Sequence, residues 1–213
     1  TNLSSVTTHR IVDQTANTSI TNLGATATTI NQRGDGATAR ANTFSYATGA
    51  AATVTLNNDS STEVLANNST TFANAANITV DANDGSAANA FTWDLGSLDV
   101  GSAGTSLTVK TTGSDTSDTL DTGAITGASL ENFTITADAA DITVGAFASA
   151  NELKTLTITN LDNESAGNIT VGAVGNTSNA NELTAFSVAT SGNANGGTTV
   201  LDMADLNAGG ATY

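Results

Sequence analysis

Eight short stretches of the chain alternate apolar and polar residues with a period of two. They are ATVTL (52–56), NITVDA (77–82), SLTVKT (106–111), NFTITA (132–137), DITVGA (141–146), TLTIT (155–159), NITVGA (168–173) and AFSVAT (185–190). Alternation of this kind sends Val, Ile, Leu or Phe to one side and Thr or Asn to the other, as a half-buried β-strand requires. Between the stretches lie turn clusters such as NNDSS (57–61), DANDGS (81–86), TTGSDTSD (111–118), TNLDNESAGN (159–168) and SGNANGG (191–197). No long segment carries a 3.6-residue apolar period. Strands at this spacing predict an all-β chain and exclude a βαβ fold.

Two submotifs recur in the C-terminal half. Leu-x-x-[Leu/Phe]-x-[Ile/Val] occurs at Leu130/Phe133/Ile135, Leu153/Leu156/Ile158 and Leu183/Phe186/Val188, with steps of 23 and 30 residues. ITVGA occurs at 142–146 and 169–173, and TTVLD at 198–202 reads as a degenerate third copy. Variable steps around a fixed strand pattern are what a coil produces when it stacks on its neighbour and cannot bury its apolar face alone. The expected fold is therefore a parallel β-solenoid, β-helix-like, with coils of roughly 23–30 residues. A β-sandwich is the alternative. One continuous solenoid is expected over 1–213, with less regular coils over 1–112 and the clearest repeats over 113–213. Leu130, Leu153 and Leu183 are expected at equivalent buried corners. The leucine spacing also suggests leucine-rich repeats, but the Asn ladder those need falls here on Asp138, Leu161 and Ser191.

The composition agrees. Aromatic residues are 4% and the apolar material is mostly small or β-branched, which suits a thin core drawn out along an axis. There is no proline, so no strand lacks a backbone donor on that account. Twenty acids against five bases give a net charge of −15. That balance argues against nucleic acid and anionic membrane surfaces as partners. No apolar run approaches the length of a membrane helix. The absence of cysteine excludes disulfides and thiolate chemistry, and a single histidine, His9, excludes a multi-histidine metal site within this chain. The opening TNLSSVTTHR has no signal-peptide core, and NAGGATY ends in the same texture as the rest, so a piece of a longer polypeptide is expected.

Little here suits catalysis. No nucleophile elbow, P-loop or dinucleotide fingerprint occurs, and no enzyme is expected. Carboxylate pairs such as Asp138 and Asp141 exist, but a sugar-cleaving site would also want aromatic platforms, with Trp93 the one tryptophan. Calcium is the better fit, because it takes six to eight oxygens from carboxylates, amides and carbonyls. Asp81, Asn83 and Asp84 before a glycine form one candidate set, and Asp115, Asp118 and Asp121 form a second; Asp35 between two glycines is a weaker third. Arg33-Gly34-Asp35 is an integrin-type tripeptide without supporting context.

GSDTSDTLDTGAITGASLENFTITADA (113–139) and ATTINQRGDGATARANTFSYATGAAATVTLNND (27–59) resemble passages of large bacterial surface-layer proteins secreted by the type I route. The resemblance implies a β-solenoid segment of an extracellular, calcium-dependent lattice on a bacterial cell surface. It implies homo-oligomeric partners in a lattice or filament, calcium as cofactor and a cell-surface polysaccharide as a further partner, without membrane insertion. The calcium nonapeptide of such proteins, Gly-Gly-x-Gly-x-Asp, does not occur in this chain. An adhesin or phage-type fibre is the alternative function.

Overall fold

A computed structural model describes residues 6–11, 16–24, 28–32, 36–58, 64–84, 92–112, 118–138, 140–147, 152–162, 168–172, 184–192 and 199–201. These residues form strands without helix, and every strand pair is parallel. The fold is a β-solenoid, and the sandwich alternative, which needs antiparallel pairing, is excluded.

Three ladders run along the stack. The first joins β1 (Thr8–Ile11), β3 (Thr28–Gln32), the end of β4 (Gly36–Asn58), the end of β5 (Val64–Asp84), β8 (Ser106–Thr112), β11 (Asn132–Asp138), β13 (Thr155–Asp162) and β15 (Ala185–Gly192). The second runs from the starts of β4 and β5 through β6 (Thr92–Asp94), β9 (Thr119–Thr122), β12 (Asp141–Val144), β14 (Ile169–Val171) and β16 (Thr199–Leu201). The third joins β2 (Thr18–Leu23), the middles of β4 and β5, β7 (Ser97–Asp99) and β10 (Ile125–Thr126), and a single bridge from Ile125 to Phe147 extends it. β4 and β5, of 23 and 21 residues, bend through all three sides without a break in strand geometry. From β4 to β11 each circuit of the chain thus lays one strand segment on each side.

Period-two alternation explains the core. In the first ladder Ile30, Val54, Val80, Val109, Ile135 and Ile158 stand in one register column, and all are buried. Ile78, Leu107, Phe133 and Leu156 form the adjacent buried column. Outward positions between these columns are threonines in register: Thr53, Thr79, Thr108, Thr134 and Thr157. β-Branched residues on both faces favour the extended backbone, so both sides of the sheet promote the strand. The few aromatics fill the wider parts of the coil. Phe44 and Phe72 pair with ring centroids 6.0 Å apart, and Phe133 meets Phe147 edge-on at 4.9 Å.

The corners have their own chemistry. Gly96, Gly123, Gly145 and Gly172 stack at one of them, linked by the bond from the Gly123 amide to the Gly96 carbonyl at 2.7 Å. A Cβ on Gly145 would lie 2.5 Å from the Gly123 carbonyl carbon, so only glycine permits this approach of one coil to the next. At another corner Asn22, Gly49, Asn74 and Gly101 adopt positive φ, letting the chain turn from the third side to the first.

The register corrects two sequence expectations. TTVLD does not align as a third ITVGA: Ile169 pairs with Thr199 and Val171 with Leu201, one residue away from the alignment by sequence. In a strand, that slip exchanges the two faces. Phe186 and Val188 do pair with Leu156 and Ile158 as the repeat predicts, yet they are 38% and 43% exposed, not core. Among the described residues β15 pairs only with β13, so no rung covers them from the other side. Leu130 and Leu153 are buried at the corner before the first side, and the bonded backbones of Glu131 and Lys154 hold them at equivalent places. Leu183 lies outside the described residues.

Candidate functional site

The residues expected to gather calcium are distributed by strand geometry. Asp81, Asn83 and Asp84 do not form a turn, because β5 continues through Asp84. Asp81 faces outward beside Lys110 of the next coil, at 2.9 Å from its ammonium, and accepts a 2.8 Å hydrogen bond from the Thr112 hydroxyl. Its oxygens are therefore committed within the ladder. Asp115 lies outside the described residues, as do Asp35 and the rest of the Arg-Gly-Asp tripeptide. Asp118 is completely buried just before β9, whereas Asp121 within β9 is half-buried. Residues three apart along an extended chain face opposite sides, so Asp118 and Asp121 do not converge on one ion.

Asp121 instead belongs to a group that crosses coils. Asp94, Asp121 and Thr143 are register partners on the second side, with Asp141 next along. Burial pushes the Asp121 carboxyl above the usual carboxylate range, the Thr143 hydroxyl hydrogen bond opposes this, and the charges of Asp94 and Asp141 reinforce it. Two of the three aspartates are tied to the backbone or to an amide. Asp94 Oδ1 accepts from the Gly96 amide at 2.9 Å, and Asp141 Oδ1 accepts from the backbone N–H and side-chain amide of Asn168 at 2.7 and 3.0 Å. Among the described residues no group of three or more His, Cys, Asp or Glu side chains is arranged to hold a metal ion.

Only the glycine-bearing part of this column was legible in the sequence. WDLG (93–96), LDTG (120–123), ITVG (142–145) and ITVG (169–172) are one motif: an inward apolar residue, an outward Asp or Thr, and the corner glycine two positions later. The last two copies are identical and readily seen. The first two differ in all but their Asp and Gly, and only the register reveals them as equivalents.

The remaining candidates for chemistry are structural. Trp93 is 3% exposed and packed inside the coil, so it offers no platform for a sugar. Asp138 lies at the end of β11, its amide donating to the Thr111 hydroxyl at 2.7 Å and its carbonyl accepting from Ala140. His9 pairs in register with Ile30 in the first rung, and its Nε2 is buried without a hydrogen-bond partner. Lys154 and Glu131 join successive coils at 2.8 Å, but both are well exposed and such a pair contributes little.

No described helix is long and apolar enough to cross a membrane. What the surface offers is regular: outward columns of threonine and aspartate at rung spacing, on a scaffold whose sides are continuous ladders. Comparison of the chain with protein-family models, with curated proteins and with solved structures gives no match.

Proposed function

We propose that this chain is a non-catalytic structural segment of an extracellular bacterial surface layer, built to assemble with copies of itself into a lattice or filament. One observation carries the reading. The first ladder keeps one inward and one outward column in register through successive coils, with turns of different length between them. Such a body tolerates change in its turns while its sides remain flat, repetitive surfaces for lateral contact. Apart from Phe186, the aromatics whose burial is described lie in the core, which disfavours the adhesin reading, since an adhesin would present an aromatic patch.

Calcium belongs to this reading as a bridge between molecules. The Asp94, Asp121 and Asp141 carboxylates face outward and repel one another, and a divalent ion shared with a neighbouring surface would relieve that repulsion. Electron microscopy of the purified protein with calcium and then with chelator tests the proposal. Ordered sheets or filaments that disperse on chelation are expected. Assemblies that survive chelation would remove calcium from the reading, and a monomer under all conditions would remove self-assembly.

A further inference from the structure

We infer that two copies of this chain pair face to face through the first side of the coil, with their axes antiparallel. This rests on the self-assembly reading and names the surface that carries it. The first side is the broad one. Its strands β8, β11, β13 and β15 run for seven or eight residues, whereas those of the other two sides from β6 onward run for two to four. It is also straight, because its pairings keep one register from β1 to β15, whereas β2 slips against β4 on the third side. Its eight strands, about 4.8 Å apart and about 3.3 Å per residue, make a face of roughly 38 by 17 Å over five residues. Two such faces bury on the order of 1,300 Å² together, enough for a specific dimer.

Charge selects the side and the orientation. From β6 to β14 the second side turns Asp94, Asp121 and Asp141 outward and no cation, so two copies meeting there would repel. The first side sets Asp81 and Lys110 next to each other in one outward column, 2.9 Å apart and 16% and 36% exposed. Lys154 and Glu131 pair at its entry corner, and Asp138 lies at its far end. A two-fold axis along the strand direction, between β5 and β8, opposes Asp81 of one copy to Lys110 of the second, and Lys110 to Asp81. Each charge thereby keeps its partner within the coil and gains another across the interface. The same axis opposes Thr79 to Thr108 and Thr53 to Thr134. Hydroxyls both donate and accept, so this column is its own complement. A two-fold axis along the coil would instead oppose each strand to its own copy, setting Asp81 against Asp81 or a neutral neighbour. The antiparallel contact is isologous, and the dimer is the unit that calcium on the second sides would join into larger assemblies.

Sedimentation equilibrium in chelator tests this, since calcium then bridges nothing. The wild-type chain is expected to be a dimer. Asp81→Lys and Lys110→Asp each oppose like charges across the axis, and each is expected to raise the dissociation constant about 10-fold or more. Mixing the two variants sets opposite charges face to face again and is expected to restore the dimer. Combining both exchanges in one chain should do the same, and it keeps the pair within the coil. Rescue on mixing has no explanation within a single chain, and circular dichroism verifies that each single variant is folded. A wild-type dimer that both single variants leave intact, or single variants that mixing does not rescue, overturns this face and axis and leaves self-assembly in place. A wild-type chain that is monomeric in chelator yet forms sheets in calcium does the same. A monomer under both conditions overturns the self-assembly reading as well.

Discussion

Gly145 and Asp121 occupy comparable places in neighbouring coils, one at the corner and one on the side, and both are set by the coil beneath. The Cβ of an alanine at 145 would meet three backbone atoms of Gly123 and Ala124 at 2.5, 2.6 and 2.9 Å, none of which can rotate away. Gly145→Ala should therefore destabilise the fold by about 1–3 kcal/mol, read as a lower denaturation midpoint, although alanine is otherwise the milder residue in a strand. Asp121 shows the opposite case, a native residue that costs stability. Its folded carboxyl is raised above the ordinary 3.8, so the folded state holds the proton more readily than the unfolded chain. Stability contributed by this group then falls as pH rises through the window above 3.8, and the full penalty is present at neutral pH. Asp121→Asn keeps an acceptor for Thr143 and removes the charge. It should raise the melting temperature at pH 7, with the gain shrinking as pH approaches 4. A variant less stable than wild type at pH 7 without calcium would show that the carboxylate has a favourable partner.

At the scale of the strand, six of the eight alternating stretches lie within an observed strand and the other two, at 141–146 and 168–173, contain β12 and β14, because alternation is a local property that the fold uses directly. The shorter strands β6, β7, β9 and β10 were not legible. Two to four residues hold too little pattern, and they depend on the neighbouring coils to be extended at all. The turn expected at 81–84 is replaced by strand for a related reason: Asp, Asn and Gly signal a turn, but there the ladder to Lys110 and Thr112 overrides that preference. Burial also depends on neighbours. Ile158 and Val188 are register partners with the same outlook in sequence, yet one is enclosed and the other is 43% exposed. Ile158→Thr should cost about 2–4 kcal/mol by losing apolar burial and enclosing a hydroxyl, whereas Val188→Thr should stay within about 0.5 kcal/mol. Paired urea melts of the two variants compare them directly, and equal losses would mean that β15 is covered in solution.

For the whole molecule, a thin core and a net charge of −15 set stability and assembly against each other. The aromatic pairs and aliphatic columns hold the coils together by contacts that salt scarcely affects. The acidic surface works against them by repulsion between successive coils, with Asp94 over Asp121 as the local example. Lys110 with Asp81 and Lys154 with Glu131 are ion pairs between coils, and exposed pairs of this kind return little. Added monovalent salt screens the repulsion more than it weakens those two pairs, so it should raise the melting temperature of the isolated chain. Thermal melts over one salt series should therefore show a rising midpoint. A midpoint that falls with salt would mean that attractive pairs between coils outweigh the repulsion.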